Sequence, residues 1–347
     1  MKSQRVLNEL SVPTTYGGAD GDCGQLPDGR AWSIRGNQID GELGSGRELV
    51  ISMDLGRGEA RLDIPGSEAS QVELDSLAPW MEWLFASDGA LERIVPGSNL
   101  RAAVPGIHGV IERAEFFQSQ GDWYRGVNGG SIPLQWVQGE GEGGRHPLRR
   151  EVPAGEVFRR HCYSLGMDFT LRRVDPALDT KRFVDWMNQP RVAEFWEEQG
   201  DAGKQRRYIE SVLAEPHKDP MIAAFDGRPF AYFELYWAME DRLGAYYDAQ
   251  PYDRGLHLLV GNPEFLGRRF AHAWLECIFH FMFLDDDRTQ RLVGEPRADN
   301  HSILKYIEHM PGWRKVKEFD FPHKRAALVM GERGAFFRGM AGGGRCD

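Results

Sequence analysis

The strongest structural signal of this sequence lies in residues 253–283, which read DRGLHLLVGNPEFLGRRFAHAWLECIFHFMF. The apolar run around His257 predicts a buried strand. A turn bounded by Gly261 and Gly267 follows, and a long apolar helix then ends near Phe283. Burying a histidine costs free energy unless its ring nitrogens are bound. His257 is therefore a packed core residue, a metal ligand or a catalytic base.

The length and composition indicate a globular protein of two domains. The chain has 347 residues, of which 41% are apolar and 27% charged, so it can bury a sizeable core. The formal net charge of −10 argues against nucleic acid or an anionic membrane as the main partner. No segment approaches the ~18 consecutive apolar residues of a membrane span, and the first residues lack a signal-peptide core. We therefore expect a cytoplasmic protein.

The cysteines and histidines do not form a metal-binding pattern. The four cysteines are Cys23, Cys162, Cys277 and Cys346. No C-x-x-C pair occurs among them, and the histidines lack the H-E-x-x-H spacing of a zinc site. Cys277 lies on the apolar face of the long helix, where we expect a reduced core thiol. We expect no structural metal.

A change of composition at residues 138–147, QGEGEGGRHP, predicts a domain boundary. We place an N-terminal domain at residues 1–145 and a C-terminal domain at residues 146–347. Short alternating runs separated by glycine predict that the N-terminal domain is rich in β-strands, with two helices in its later part. We find no catalytic pattern in it. Its role stays open between a decayed relative of the catalytic fold and a dimerisation surface, and a homodimer stays open with it.

The C-terminal domain shows a clearer order of elements. From DFTLRRVD at residues 168–175 onward, the patterns predict β-α-α-β-β-β-α-β-α-β-β, with a hairpin turn at Asp226-Gly227. Helices are predicted to end at Pro190 and Pro216. We therefore expect an α/β (α+β) fold in which a mixed central sheet is flanked by helices on both faces.

This order and five motifs resemble the Gcn5-related N-acetyltransferase superfamily. Within it, they resemble the hydroxylysine and hydroxyornithine acyltransferases of siderophore pathways. The motifs are WMNQPRVAEFWEEQG from residue 186, RPFAYFELYWAMEDRLGAYY from 228, YDRGLHLLVG from 252, DRTQRLVGEPRADN from 287 and KEFDFPHKRAALVM from 317. The match is dense from about Met167 to Phe337 and loose before Arg145.

The resemblance implies transfer of an acetyl group from acetyl-CoA to the hydroxylated side-chain nitrogen of a diamino acid. The product is a hydroxamate, which binds iron(III) through two oxygens. Hydroxylysine is the favoured substrate, and both partners are small molecules. The alternative within the enzyme class is acylation of hydroxyornithine with an acetyl or longer acyl group. The alternative of another class is a non-catalytic, acyl-CoA-binding scaffold module.

The turn after the histidine strand is where the resemblance places the pyrophosphate of CoA. Helix N-termini suit anions because their first N–H groups lack partners and the helix dipole is favourable. The superfamily pattern Q/R-x-x-G-x-G/A fits only at Gly267, since Glu264 and Arg269 replace its first and last residues. The alternative is an ordinary turn with solvated arginines. The candidate cofactor-binding residues are Leu258, Val260, Gly267, Arg268, Arg269, Asn300 and Tyr306.

The resemblance makes His257 the candidate general base. A histidine pKa near 6.5 suits proton removal at neutral pH; the alternative is a satisfied core histidine. Asp299 is implied as the partner of His257 or of the substrate hydroxylamine, although a residue of its type also suits a helix N-cap. We expect a strand amide near Leu258 to stabilise the developing oxyanion.

An amino-acid substrate brings an ammonium and a carboxylate, so acidic and basic partners are expected nearby. The candidates are Glu234 and Asp241 for the ammonium, and Arg242 and Lys324 for the carboxylate. A surface salt bridge is the alternative for each of them. Tyr236 is expected around the same cleft. Trp196 and Trp237 are candidates for the wall along the aliphatic stem, with core packing as the alternative.

Overall fold

The computed structural model describes residues 22–35, 38–43, 47–54, 57–65, 76–104, 107, 109–119, 123–126, 128–139 and 144–340. Packing divides these residues into two compact units. The first unit takes the described residues up to 119 together with 163–166 and 337–340, and the second takes 123–162 and 167–336. Described residues between 123 and 145 thus pack with the second unit. The domain boundary at residue 145 stays a prediction.

The first unit is built on a sheet whose described strands follow one another in chain order. The strands are β1 (Cys23–Gln25), β2 (Ala31–Arg35), β3 (Gln38–Glu42), β4 (Glu48–Asp54), β5 (Glu59–Asp63), β6 (Arg93–Pro96) and β7 (Ile111–Glu112). The helices are α1 (Ala78–Ser87), α2 (Ser98–Ala103) and α3 (Arg113–Gln118). Strands β1 to β5 are antiparallel, α1 then leads to β6, which is parallel to β5, and β7 is antiparallel to β6. The expected β-rich N-terminal region is confirmed. The two predicted helices correspond to α1 and α3, whereas α2 was not predicted.

The second unit contains an eight-stranded mixed sheet. Its strands are β10 (Glu156–Cys162), β11 (Met167–Arg173), β12 (Lys218–Phe225), β13 (Arg228–Trp237), β14 (Arg254–Val260), β15 (Arg291–Gly294), β16 (Trp313–Asp320) and β17 (Arg325–Glu332), and a small hairpin of β8 (Trp136–Gln138) and β9 (Arg145–Pro147) precedes them. The helices are α4 (Pro176–Met187), α5 (Pro190–Trp196), α6 (Ala202–Leu213), α7 (Arg268–Asp285), α8 (His301–Glu308) and α9 (Arg333–Gly339). The sheet order is β10-β11-β12-β13-β14-β15-β17-β16. The predicted mixed sheet is confirmed.

The order of elements differs from the prediction in two helices, α5 and α9, which the sequence pattern did not indicate. Pro190 was expected to end a helix, but α4 already ends at Met187 and Pro190 is the first residue of α5. Proline is tolerated in the first turn of a helix because the N–H groups there have no intrahelical partner. Pro190 therefore starts a helix where the prediction had only a stop.

The hairpin between β12 and β13 follows the prediction. Asp226 and Gly227 both adopt positive φ, at 46° and 70°. Two consecutive left-handed residues match the right-handed twist of the flanking strands, which is why Asp-Gly is favoured there. The turn pairs Phe225 with Arg228 and Ala224 with Pro229, and a β-bulge then shifts the register so that Ala223 pairs with Ala231. Strand β13 is buried along almost its whole length.

Strands β14 and β15 pair only briefly. They run parallel and pair at Arg254↔Leu292 and Gly255↔Val293, after which β14 continues to Val260 beside β13 alone. The two parallel strands therefore part beyond Gly255. The peptide groups of β14 that face away from β13 border the resulting gap, which we call the strand gap.

The two units share part of their order of elements. In each, a strand, a helix and a strand parallel to the first are followed by a helix and a strand antiparallel to the second. The second unit differs in that α4, α5 and α6 interrupt its earlier strands and β16 precedes the antiparallel strand β17. In the first unit, however, β5 and β6 stay paired at four positions, from Glu59↔Arg93 to Leu62↔Pro96. This shared order supports the alternative that the first unit is a relative of the second, without a strand gap among its described residues.

The helix after the strand gap carries the core of the second unit. On α7, Trp274, Cys277 and Phe281 are at most 3% exposed, as expected for the apolar face of this helix. The thiol of Cys277 is free and lies 3.3 Å from the sulfur of Cys162. Among the described residues, no helix is long and apolar enough to cross a membrane.

Candidate active site

His257 lies on β14 two residues beyond the last pair with β15, and its Cα partner on β13 is Glu234. Its side chain is 22% exposed. Nδ1 is 3.2 Å from a carboxylate oxygen of Glu234, and Nε2 is 2.8 Å from a carboxylate oxygen of Glu295. Glu295 is the first residue after β15. The parting strands thus place one imidazole between two carboxylates.

This arrangement holds the ring in its charged form. Burial alone would lower the pKa of His257, but the charge of Glu295 and the hydrogen bonds to Glu234 and Glu295 outweigh it and raise the pKa to about 9. The ring is then an imidazolium whose two N–H groups donate to the two carboxylates. The sequence predicted a neutral imidazole at neutral pH. The structure corrects that expectation, because it places two buried carboxylates against the ring.

The two carboxylates are kept ionised in turn. Glu295 is 3% exposed, and burial would raise its pKa, but the charge and hydrogen bond of His257, together with Lys324 and Tyr236, lower it to about 2. The Tyr236 hydroxyl donates to Glu295 at 2.7 Å. Lys324 donates to the main-chain oxygen of Glu295 at 2.8 Å. Three polar groups, from His257, Tyr236 and Lys324, therefore contact Glu295.

Glu234 was predicted to bind the substrate ammonium, and the structure gives it other partners. It is 4% exposed and accepts hydrogen bonds from the hydroxyls of Tyr208 and Tyr232, the latter at 2.9 Å, in addition to His257. Burial would raise its pKa, but the hydrogen bond and charge of His257 and the tyrosine hydroxyls lower it. Because its oxygens are occupied inside the fold, Glu234 is a partner of His257 in this structure.

Sequence reasoning missed Glu295, Tyr208 and Tyr232. Tyr232 could have been found, because it alternates with Glu234 and Tyr236 on one face of β13. Glu295 lies in the EPRADN motif, but the resemblance directed attention to Asp299 four residues later. Tyr208 reaches the site from α6, and no local pattern indicates that helix as a neighbour of β13.

Asp299 is not brought to His257. Its side chain is 67% exposed and forms an ion pair with Arg297 at 2.7 Å. The pKa of Asp299 is lowered first by its hydrogen bond with Arg297. The prediction that Asp299 partners His257 is wrong in this structure, because Glu234 and Glu295 occupy both ring nitrogens. The helix cap is Asn300, whose side chain accepts from the N–H of Ile303 at 3.3 Å.

Two further substrate candidates are engaged elsewhere. Trp237 is 3% exposed and lies between the guanidinium groups of Arg149 and Arg254, whose central carbons are 4.2 and 4.5 Å from its ring. It is therefore core, which was the alternative for this residue. Asp241 accepts a hydrogen bond from the N–H of Leu243 at 3.0 Å and caps a short helical turn.

The two basic candidates are brought to the cluster. The guanidinium of Arg242 is 3.9 Å from a carboxylate oxygen of Glu295, and its side chain is 51% exposed. Arg242 and Lys324 both lie over the ring of Phe321, at 5.5 and 5.6 Å. Burial, which is only partly offset by Glu295, lowers the pKa of Lys324. Two cations therefore converge beside the His257 cluster.

The start of α7 has the features of an anion site. Gly267 is its N-cap, with a φ of 105° and open space where a Cβ would lie. Arg268 and Arg269 carry exposed side chains in the first turn. The first N–H groups of an α-helix have no intrahelical acceptors, so this exposed end presents donors and positive charge together. The three predicted residues are thus brought together.

The peptide groups of β14 alternate between β13 and the strand gap. The N–H of Gly261 donates to Phe230 at 2.7 Å, so by alternation those of Leu258 and Val260 point into the strand gap. The indole N–H of Trp196 donates to the carbonyl of Leu258 at 3.3 Å. Leu258, Val260 and Trp196 therefore border the strand gap. Tyr306 lies half-buried on α8.

Metal binding has no support in the described part of the chain. No group of three or more histidine, cysteine, aspartate or glutamate side chains there is arranged to hold a metal ion. The His257 cluster has two carboxylates, but both of its ring nitrogens already contact them.

Comparisons with known proteins identify relatives of this chain. A family model described as an acetyltransferase (GNAT) domain matches residues 175–321. An Escherichia coli protein named N(6)-hydroxylysine O-acetyltransferase is 46% identical over 191 residues, covering 55% of this chain and 60% of the relative. A Beauveria bassiana protein named N(5)-hydroxyornithine:cis-anhydromevalonyl coenzyme A-N(5)-transacylase is 41% identical over 197 residues, covering 56% of this chain and 43% of the relative.

A third relative matches a larger share of both chains. It is a Schizosaccharomyces pombe protein named as a candidate lysine N-acyltransferase, 40% identical over 233 residues, covering 65% of this chain and 67% of the relative. Among solved structures, an uncharacterized protein of Bacillus halodurans has a TM-score of 0.51 and 26% identity, covering 53% of this chain and 94% of that one. The chain spans 60% and 43% of the Escherichia coli and Beauveria bassiana relatives.

Proposed function

The chain belongs to the Gcn5-related N-acetyltransferase (GNAT) family, and on that basis we propose that it transfers an acetyl group from acetyl-CoA to the hydroxylated side-chain nitrogen of a diamino acid. The product is a hydroxamate of the kind used in siderophores for iron acquisition. One structural observation supports the proposal most. The strand gap is bordered by the open peptide groups of β14 and begins at His257 and Glu295.

Acetyl-CoA is the proposed co-substrate, and its two ends have matching partners. The pyrophosphate binds at Gly267, Arg268 and Arg269, where helix N–H groups and two cations favour an anion. An amide of the pantetheine arm pairs with the open edge of β14 at Val260, in the manner of an added strand, while the N–H of Leu258 meets the thioester end. Asn300 and Tyr306 remain candidates for contacts nearer the thioester.

The proposed reaction is a direct transfer. The lone pair of the hydroxylamine nitrogen attacks the thioester carbon, the N–C bond forms, and the C–S bond breaks as the thiolate leaves with the electron pair. The amide of Leu258 stabilises the oxyanion that develops on the carbonyl oxygen. His257, Glu234 and Glu295 lie beside the reacting nitrogen. The proton released by that nitrogen passes to a carboxylate or water and finally to the CoA thiolate.

The amino acid is held at its other end by charge. Arg242 and Lys324 are the proposed partners of the substrate carboxylate, because both cations converge beside Glu295. Hydroxyornithine with an acetyl or longer acyl group is the second candidate substrate, supported by the Beauveria bassiana relative. One methylene distinguishes the two diamino acids and is worth only ~1–3 kcal/mol in a pocket.

The cellular setting is part of the proposal. Cys162 and Cys277 are buried free thiols whose sulfurs are 3.3 Å apart, which suits a reducing compartment such as the cytoplasm. We propose two small-molecule partners, acetyl-CoA and the hydroxylated amino acid. A homodimer stays a prediction.

A thiol-release assay tests the proposal. The purified chain is mixed with acetyl-CoA and, separately, N-hydroxylysine, N-hydroxyornithine, lysine or ornithine, and free CoA thiol is measured against a control without acceptor. We expect release with at least one hydroxylated amino acid and far less with the plain ones. Equal release with hydroxylated and plain amines would refute the substrate class. Acetyl-CoA binding without release on any acceptor would favour the scaffold alternative.

A further inference from the structure

The His257 site lacks a strong base. Both nitrogens of the ring contact carboxylates, at 3.2 Å to Glu234 and 2.8 Å to Glu295, so the charged ring has no lone pair to accept a proton. Every neighbouring element adds a charged or titratable group: Tyr232 and Tyr236 from β13, Tyr208 from α6, Arg242 after β13 and Lys324 before β17. None of them is a strong base in the state that this geometry favours.

The carboxylates are themselves weak proton acceptors. Both are almost fully buried, yet each has its pKa lowered by hydrogen bonds and by the charge of His257. Such a site can receive a proton only from a group more acidic than an ordinary ammonium. The carboxylates are therefore basic enough to take a proton from some nucleophiles and not from others.

Amines and hydroxylamines differ in the strength of the base that they need in the site. An alkyl ammonium has a pKa near 10.4, so roughly one lysine side chain in 2,500 is neutral at pH 7. A hydroxylamine has a much lower pKa and is largely neutral at the same pH. After its nitrogen attacks the thioester, the N–H of the positively charged adduct is acidic enough for a carboxylate or water to accept the proton.

We propose that Glu234 and Glu295, by binding both ring nitrogens of His257, make the site selective for hydroxylamines over ordinary amines. This inference rests on the proposed acyl transfer and names the determinant of its substrate class. Selection then follows from the basicity of the nucleophile, not from a contact with its hydroxyl group. The bonds formed and broken are those of the direct transfer described above.

A series of nucleophiles with the unchanged protein tests the proposal. N-hydroxylysine, lysine and 5,5-difluorolysine, which carries two fluorines on the carbon next to the aminomethyl group, are compared at pH 7 by kcat/KM. The fluorinated amine has low basicity but no hydroxyl group. We expect it to react within about tenfold of N-hydroxylysine and far faster than lysine. If it reacts as slowly as lysine, the protein recognises the hydroxyl group through a direct contact, and the proposal is overturned.

Two variants locate the determinant. Glu295→Gln and Glu234→Gln keep side-chain volume but remove one charge beside the ring, so we expect the NMR midpoint of His257 to fall. The ratio of kcat/KM for N-hydroxylysine over lysine should fall by about tenfold, because a ring midpoint about one unit lower raises the neutral fraction of His257 about tenfold at pH 7, and the neutral ring can accept a proton from lysine. Glu318→Gln on β16, which pairs with Lys315 at 2.6 Å, is the matched control and should keep the ratio.

The outcomes separate this inference from the proposed function. A folded variant whose ring midpoint falls while the ratio stays unchanged would overturn the inference alone. If the wild-type protein acetylates none of the nucleophiles, the proposed function itself is refuted. If neither glutamine variant folds, the nucleophile series with wild-type protein still decides.

Discussion

Glu234 and Glu295 keep the His257 ring protonated, and the raised pKa of this one residue makes the stability of the fold depend on pH. The folded pKa of about 9 lies above the ordinary 6.5, so the interaction stabilises the protein fully below about pH 6.5 and is lost as the pH rises through 9. The difference corresponds to roughly 3 kcal/mol. Glu295 behaves oppositely: its stabilising contribution is present above about pH 4.5 and is lost as the pH falls through 2.

NMR titration of the histidine ring tests this link. We expect the His257 resonances, assigned by their loss in His257→Gln, to titrate near pH 9. The midpoint should fall by about one unit or more in Glu295→Gln, because one of two neighbouring charges is removed. Thermal unfolding should show a larger loss of stability between pH 7 and 10 in the wild type than in His257→Gln. A midpoint near 6.5 in the wild type would contradict the carboxylate pairing.

At the scale of residues, the sequence predicts the position of His257 better than it predicts the charge of the ring. The apolar run on β14 indicated a strand containing His257, because alternation is a local property. Its carboxylate partners are 23 and 38 positions away, and Glu295 meets the ring only because two parallel strands part at Gly255. Which of Glu295 and Asp299 contacts His257 depends on how β14 and β15 pair, and no local sequence pattern specifies that pairing.

At the scale of elements, α7 joins the strand gap to the proposed phosphate site. Gly267 adopts a positive φ of 105°, which residues with a Cβ adopt only at a cost, and it leaves open space at the exposed helix start. The helix periodicity and the glycine-bounded turn were enough to predict this element. Helix α5 was missed because Pro190 serves both as a stop for the preceding pattern and as the first residue of a helix.

Paired substitutions at Gly267 test the phosphate site. Gly267→Ala and Gly267→Asp share the backbone strain of a positive φ, but only the aspartate places a negative charge where the pyrophosphate would bind. We expect acetyl-CoA to bind the aspartate variant at least about tenfold more weakly than the alanine variant by calorimetry. Equal affinities in two folded variants would place the pyrophosphate elsewhere.

At the scale of the whole molecule, the two units share the order strand, helix, parallel strand and helix, but they differ in how far the parallel strands pair. β14 and β15 pair at two positions and part, whereas β5 and β6 pair at four. A paired strand has no open edge for a pantetheine arm. The sequence left this relation as one of two alternatives, because the short strands of the first unit carry few residues each and their order in the sheet is set by long-range pairing.

The number of acetyl-CoA sites per chain tests this difference. We expect calorimetry on the full chain to give one site, since only the second unit has a strand gap among the described residues. The Gly267→Asp variant should then show no second, unaffected binding event. Two sites in the wild type, or one intact site in this variant, would assign cofactor binding to the first unit as well.

The chemical identity of the product tests acetyl transfer to the hydroxylated nitrogen most directly. The names of the relatives differ on this point, since the Escherichia coli protein is named as an O-acetyltransferase and the Beauveria bassiana protein as an N(5)-transacylase. The measurement is the amount of hydroxamate, by its coloured iron(III) complex and its mass, against CoA thiol released from acetyl-CoA and N-hydroxylysine. We predict one hydroxamate for each thiol from the first turnovers onward. Thiol release with an O-acetyl product that does not bind iron(III), or with no acetylated amino acid at all, would contradict the proposed function.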